Sequence, residues 1–250
     1  MRIGIIGTGF VGGAIAKNLR KRHEVIQYSL DKKFVKNKDK IKHCDVVFIA
    51  VPTCGRKENH KIVDDVLSLV GKGKIAIIKS TVWIGTTKML QRKFKDIYLF
   101  HCPEFLTEKN AVKEASSPDR NVVGYTKKSK KFRFKVAKLL PRVKTFICDS
   151  DTSELAKYAS NAFLLWKVVF ANIIDDQYVL DIVGEDKRIG HSHFKIEQGG
   201  RGAGGNCLIK DYAIFSKHSK SSLVKTVEKE NLKILKGSKK DLNIIRNVYA

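Results

Sequence analysis

The chain has 250 residues and a formal net charge of +24, with 49 Lys and Arg against 25 Asp and Glu. No apolar run reaches the ~18 residues of a membrane span. Five cysteines without a Cys-x-x-Cys pair argue against a disulfide or zinc framework and for reduced thiols in a cytoplasmic setting. The 38 lysines far outnumber the 11 arginines and are spread along the chain, with no RNA-binding motif and no aromatic–basic alternation of the kind that stacks bases. The charge therefore reads as a solvated surface that attracts anionic cofactors and substrates, with no nucleic-acid and no membrane partner.

The chain opens directly on a strand, with no charged-then-apolar leader before it. Strands are expected at 2–6, 24–28, 46–51, 74–79, 97–100, 120–124 and 144–148, and helices between them near 10–21, 33–42, 60–71, 85–94, 109–116 and 128–139. This alternation predicts an α/β, Rossmann-type doubly wound sheet over residues 1–150. After Asp149 the texture changes, and 151–250 reads as a central helical, dimerisation domain. One helix is expected from Ser153 to about Leu180, ~40 Å long at 1.5 Å per residue, capped by Asp151 or Thr152. Its apolar residues Phe163, Leu164, Trp166, Val169, Phe170 and Ile173 surround too much of the helix for one partner face and predict a homodimer. A glycine-punctuated connection follows over 181–207, then helices near 208–218 and 222–236 and a short tail.

Two segments carry chemistry. Strand 2–6 runs into Gly7-Thr-Gly9-Phe10-Val11-Gly12 and then into an amphipathic helix pattern. That context turns Gly-x-Gly-x-x-Gly into a dinucleotide fingerprint: Gly7 for a tight turn, Gly9 for close approach of the pyrophosphate, Gly12 for helix–strand packing. The helix N-terminus supplies free N–H groups for the phosphates. The second segment is Gly199-Gly-Arg-Gly-Ala-Gly204-Gly-Asn-Cys207-Leu-Ile-Lys210-Asp211. A thiol just after a glycine cluster, with a cation and a carboxylate close behind, has the make-up of an activated nucleophile. Taken alone it is equally a buried, inert cysteine. His191 and His193 form His-x-His, but no further ligand stands at metal-site spacing, so no metal is expected.

Several motifs in order resemble the UDP-glucose/GDP-mannose dehydrogenase family. After the glycine fingerprint come Val51-Pro52-Thr53, Lys79-Ser80-Thr81-Val-Trp-Ile-Gly85, Pro103-Glu104-Phe105-Leu106-Thr-Glu108 and Pro118-Asp-Arg-Asn-Val-Val-Gly124. Then follow Glu154-Leu-Ala-Lys157-Tyr-Ala-Ser-Asn161, Asp186-Lys-Arg188-Ile-Gly190 and the Cys207 loop. The resemblance implies an NAD-dependent, four-electron oxidation of a sugar-nucleotide (UDP-glucose-like) primary alcohol to the uronic acid. It proceeds through an aldehyde, a thiohemiacetal on Cys207 and a thioester that water releases. Lys157 and Asn161, four apart on one helix, suit an oxyanion. Glu104 and Glu108 suit the polarising of water, with Thr81 as a positioning hydroxyl, Asp211 orienting a water, and Lys210 on a substrate oxygen or phosphate. The resemblance assigns Val51, Pro52, Thr53, Ser80, Thr81, Glu108 and Lys210 to the cofactor, and Phe105, Leu106, Lys157, Asn161, Arg188 and Gly204 to the substrate.

The chain departs from the family pattern in three respects. Family members continue into a second α/β domain that holds most of the substrate nucleotide, so the resemblance implies a short form. Such a form is completed by a separate chain, is half of a split dehydrogenase, or is a non-catalytic dinucleotide-binding remnant. At the end of the second strand, where a carboxylate ordinarily meets the ribose hydroxyls, stands Ser29. Asp31 is its substitute, while Ser29 with Lys32 and Lys33 suits a 2′-phosphate, so NAD is preferred and NADP competes. Finally, Cys54, Cys102 and Ala203 replace residues common in the family's motifs.

Overall fold

The computed structural model describes residues 1–53, 61–106, 111–196 and 201–249. They form two compact units, one reaching to Lys157 and one beginning at Tyr158.

The first unit is an α/β Rossmann-type fold. Its strands are β1 (Arg2–Ile6), β2 (Glu24–Tyr28), β3 (Val46–Ile49), β4 (Ile75–Ile78), β5 (Tyr98–His101), β6 (Asn121–Tyr125) and β7 (Thr145–Asp149), in spatial order β2-β1-β3-β4-β5-β6-β7. Each lies within two residues of its expected position. All neighbours are parallel except β5 and β6. β3 and β4 are apolar at every position and buried on both faces, as a parallel sheet covered by helices requires. One face packs Ile3, Ile5, Phe48, Ile77 and Phe100, the other Ile6, Val47, Ile49, Ile78 and Leu99.

The covering helices are α1 (Phe10–Leu19), α2 (Lys61–Leu67), α3 (Thr86–Lys93), α4 (Ala111–Ser116) and α5 (Arg133–Ala137). Three of the expected helices differ from what the sequence predicts. The helix expected over 33–42 is a 3₁₀ segment, Val35–His43, because Val-Lys-Asn-Lys-Asp-Lys-Ile-Lys-His offers only Ile41 for burial and so has no apolar face to pack. α2 stops at Leu67, and the chain tightens through Leu69 N–H to Val66 and Val70 N–H to Leu67 on its way to Gly71. The pattern over 128–139 resolves into a 3₁₀ turn, Lys130–Phe132, followed by the short α5.

The long helix, α6, spans Ser150–Ile174 and so ends six residues earlier than expected. Asp175 takes the left-handed conformation (φ 55°), and the Asp176 carboxylate accepts Tyr178 N–H at 2.9 Å and Val179 N–H at 3.2 Å, capping a separate helix α7 (Gln177–Gly184). At the other end the cap is Asp149, not Asp151 or Thr152. Its carboxylate accepts the N–H of Asp151 (3.0 Å) and of Thr152 (3.2 Å) and the Thr152 hydroxyl (2.7 Å).

The second unit completes itself with α8 (Gly205–His218), α9 (Ser222–Gly237) and α10 (Leu242–Tyr249), the last standing where a short tail is expected. Ala162, Leu165 and Val169 of α6 pack with Tyr212 and Val224, and Trp166 Nε1 donates to Tyr212 OH at 2.6 Å. Val169 and Trp166 therefore serve this unit's own core. Phe163, Phe170 and Ile173 remain exposed.

Candidate active site

The sheet register aligns the carboxyl ends of the parallel strands. Tyr28, Ile6, Ile49, Ile78 and His101 form one rung across β2-β1-β3-β4-β5. The residues just beyond it, Ser29, Gly7, Val51, Lys79–Thr81 and Cys102–Glu104, thus gather at the carboxyl ends of the parallel strands. β2 and β3 diverge on either side of β1 there, at the crevice where open α/β sheets bind ligands.

The glycine turn fits a dinucleotide. Gly7 has φ +92°, and a Cβ on it would lie 2.2 Å from the Ala50 carbonyl oxygen. A Cβ on Gly12 would lie 1.9 Å from the Gly7 carbonyl oxygen, whereas one on Gly9 would meet nothing within 4 Å. The turn is therefore packed from behind and open in front. Gly9 is the N-cap of α1 with no side chain bonded to the first-turn amides. Open N–H groups at a helix start, approachable only because residue 9 lacks a side chain, suit a pyrophosphate. Phe10 is exposed and Val11 half-buried in that first turn.

The neighbouring loops are tied together. Ser80 Oγ donates to the Val51 carbonyl at 2.7 Å, Thr53 is buried, Pro52 is exposed and Thr81 is half-buried. At the end of β2, Ser29 Oγ accepts from Thr8 Oγ1 at 2.9 Å and from Asp31 N–H at 3.3 Å. Asp31 and Lys32 are exposed, and the Asp31 carboxylate accepts Lys33 N–H at 2.9 Å. Thr8, which the sequence reading passed over, is thus the residue that orients Ser29.

Beyond β5, Glu104 Oε2 lies 3.0 Å from Lys79 Nζ, in an ion pair whose lysine is almost fully buried. Glu104 Oε1 accepts Phe105 N–H at 3.0 Å. The Phe105 ring carries Arg120 Cζ at 4.1 Å and the buried Lys157 Nζ at 5.3 Å. Leu106 is half-buried, and Glu108 lies outside the described residues. Two further titratable groups had no assigned role. His101 is fully buried, with its Nδ1 2.9 Å from Ser153 Oγ. Burial, with the charges of Lys79 and Lys157, pushes its pKa down to about 3. Glu154 is fully buried, and burial pushes its pKa up to about 7, although it accepts Gly85 N–H (2.5 Å), Thr87 N–H (2.8 Å) and Thr87 Oγ1 (2.6 Å). The only sequence signal for either was its place inside or beside a motif.

The second unit holds the thiol. Cys207 sits in the first turn of α8 rather than in a loop, and it is exposed. Burial pushes the thiols of Cys44, Cys102 and Cys148 up to about 11, 12 and 11, so these three stay protonated near neutral pH and are poor nucleophiles. One turn after Cys207, the buried Asp211 receives Asn161 Nδ2 at 2.6 Å on one oxygen and pairs with Lys210 through the other. Lys210 is therefore engaged with its neighbour. Gly204 caps α8, and a Cβ there would lie 2.1 Å from Asp241 Oδ2, which also accepts Gly205 N–H at 2.7 Å. Arg188 is exposed and forks onto Asp186, with its Nη2 2.6 Å from Oδ2. Among the described residues no group of three or more His, Cys, Asp or Glu is placed to hold a metal, and no helix is long and apolar enough to cross a membrane.

Residues 32–141 match the sequence profile of the UDP-glucose/GDP-mannose dehydrogenase family, NAD binding domain, and residues 151–233 match that family's central domain. The chain is 32% identical over 219 residues to the UDP-glucose 6-dehydrogenase of Rickettsia conorii, covering 77% of this chain and 50% of that protein. It is 26% identical to the UDP-N-acetyl-D-mannosamine dehydrogenase of Campylobacter jejuni, over 75% of this chain and 53% of that one. The solved structure of a UDP-glucose dehydrogenase from Pyrobaculum islandicum superposes with a TM-score of 0.78 at 25% identity, over 94% of this chain and 68% of that one. The chain spans about half the length of the two sequence relatives.

Proposed function

The chain belongs to the UDP-glucose/GDP-mannose dehydrogenase family, and on that premise we propose that it oxidises the primary alcohol of a sugar nucleotide to a carboxylate, with Cys207 as covalent nucleophile and NAD as the preferred dinucleotide. The observation that carries this reading is the exposed Cys207 on the first turn of α8, followed one turn on by a buried carboxylate anchored from both sides. A nicotinamide dinucleotide held at the Gly7–Gly12 turn would supply the hydride acceptor for each of the two oxidations.

The protein's own residues do the rest. Cys207 Sγ bonds to the aldehyde carbon while the aldehyde oxygen gains a proton. As the second hydride leaves, the thiohemiacetal hydroxyl gives up its proton to solvent and a thioester forms. Water then attacks the thioester carbon, the C–S bond breaks, the carboxylate is released with one proton from the water, and the Cys207 thiol regains the other. The Lys157 ammonium and the Asn161 amide stabilise oxygen as it gains negative charge. Asp211, fixed by Asn161 and Lys210, orients a water. Glu104, fixed by Lys79, polarises the hydrolytic water with Glu108, and Thr81 positions it. Phe105, Leu106, Arg188 and Gly204 contact substrate, and the loops Val51–Thr53 and Ser80–Thr81 flank the dinucleotide. The exposed Phe163, Phe170 and Ile173 of α6 form the homodimer contact. The nucleotide end of the substrate is held by a further domain, in the same or a separate chain.

Turnover of a sugar-nucleotide panel with NAD or NADP, with and without a chain supplying such a domain, tests this. Uronate and two equivalents of reduced dinucleotide are expected from wild type, and neither from Cys207→Ser. Full uronate yield from Cys207→Ser removes the assigned role. Failure of every combination promotes a non-catalytic dinucleotide-binding function.

A further inference from the structure

One strongly charged region takes no part in the chemistry above. Lys127-Lys-Ser-Lys-Lys-Phe-Arg-Phe-Lys135, with Lys138, sets seven cations within twelve residues, and no Asp or Glu occurs between Asn121 and Cys148. Among the described residues none of these seven cations makes an ion pair. β6 runs antiparallel to β5, so the segment that follows it emerges where the parallel strands begin, at the opposite end of the sheet from the glycine turn.

The segment is a built surface rather than a tail. Ser129 is buried and bonded to Thr126 N–H at 2.9 Å, and Val136, Leu139 and Leu140 are set into the sheet core. Lys128 and Lys131 Nζ lie 5.2 and 4.9 Å from the Tyr98 ring, which meets Phe132 edge-on at 4.6 Å. Arg133 Cζ lies 4.3 Å over Phe134, whose side chain is 57% exposed. The expectation of lysines spread along the chain with no aromatic–basic alternation does not hold over Lys131-Phe-Arg-Phe-Lys135.

We propose that residues 127–138 form a binding surface for single-stranded nucleic acid. Seven unpaired like charges raise a local potential that a phosphate backbone relieves by counterion release. Phe134, with a guanidinium on one face, offers its other face to a base. An anionic membrane is the poorer match. Interfacial binding needs a broad apolar face, and the apolar side of α5 is consumed by the core, leaving Phe134 as the segment's exposed large apolar side chain.

The test is fluorescence anisotropy of the full chain with a labelled, mixed-sequence RNA of about 20 nucleotides. It compares wild type with Lys130→Glu/Lys131→Glu/Lys135→Glu, with Phe134→Ala, and with a control of equal charge change on α9, Lys225→Glu/Lys229→Glu/Lys236→Glu. Circular dichroism verifies that each variant is folded. Wild type is expected to bind, with affinity falling about tenfold or more between about 50 and about 200 mM salt. The patch triple should lose about tenfold, Phe134→Ala about threefold or more, and the control triple less than about twofold. No binding at low salt, equal loss in the two triples, or tighter binding to phosphatidylserine vesicles than to RNA would overturn the proposal.

Discussion

At the scale of single residues, burial sorts groups of one chemical type into different roles. Of the four described cysteines, Cys44 and Cys102 are buried, Cys148 is half-buried and Cys207 is exposed. Cys44→Ser and Cys148→Ser should therefore leave uronate formation largely intact where Cys207→Ser abolishes it, as read by product formation in the complemented assay. The buried acids and bases carry a pH signature. Glu154 has a folded pKa of about 7 against an ordinary value of 4.5, so the native state holds the extra proton between those values. Its contribution to stability is full below about pH 4.5 and is lost as pH rises through about 7, an effect of about 3 kcal/mol. His101, held neutral down to about pH 3, acts in the opposite sense, losing stability as pH falls below about 6.5. Glu154→Gln should flatten the alkaline side of the stability curve in chemical denaturation between pH 5 and pH 8, set by that same linkage. An unchanged slope would show that Glu154 is already ionised throughout.

At the scale of elements, the glycine turn separates folding from binding. Gly12→Ala drives a Cβ into the Gly7 carbonyl and should cost about 1–3 kcal/mol of stability by overpacking. Gly9→Ala places its Cβ in open space, so the melting temperature should hold while dinucleotide affinity falls about tenfold or more, a loss of about 1.4 kcal/mol or greater. Calorimetric titration with NAD, NADH, NADP and NADPH checks both variants. Absence of heat with any of the four for wild type would contradict the cofactor assignment. A clear preference for NADP would point to Ser29, Lys32 and Lys33, and Ser29→Asp should reverse it. At the start of α6, Asp149→Ala removes the carboxylate that satisfies two amides and a hydroxyl, and should cost about 1 kcal/mol.

For the whole molecule, the exposed apolar residues of α6 are the principal expectation. Phe163 and Ile173 are 62% and 63% exposed, while Val169 and Leu165 on the same helix are consumed by the core. Light scattering at micromolar concentration should give a dimer mass, and Phe163→Asp/Ile173→Asp should shift it to monomer. A monomer mass for wild type would refute the dimer.

Local chemistry determined much of this protein. The strands were legible because a parallel sheet covered on both faces demands uninterrupted apolar runs such as Val46–Ile49 and Ile75–Ile78. The glycine turn was legible because its spacing encodes a backbone requirement. Cys207, Lys157, Asn161 and Asp211 stood out because their order along the chain is shared with a family. The end of α6 at Ile174 escaped, because Asp175 turning left-handed and Asp176 capping α7 are decisions of backbone conformation that apolar periodicity does not record. So did Lys79 on Glu104, His101 on Ser153 and Asn161 on Asp211, separated by 25, 52 and 50 residues. Such pairings depend on strand order and helix packing, and only the tertiary structure sets which distant side chain arrives to compensate a buried charge.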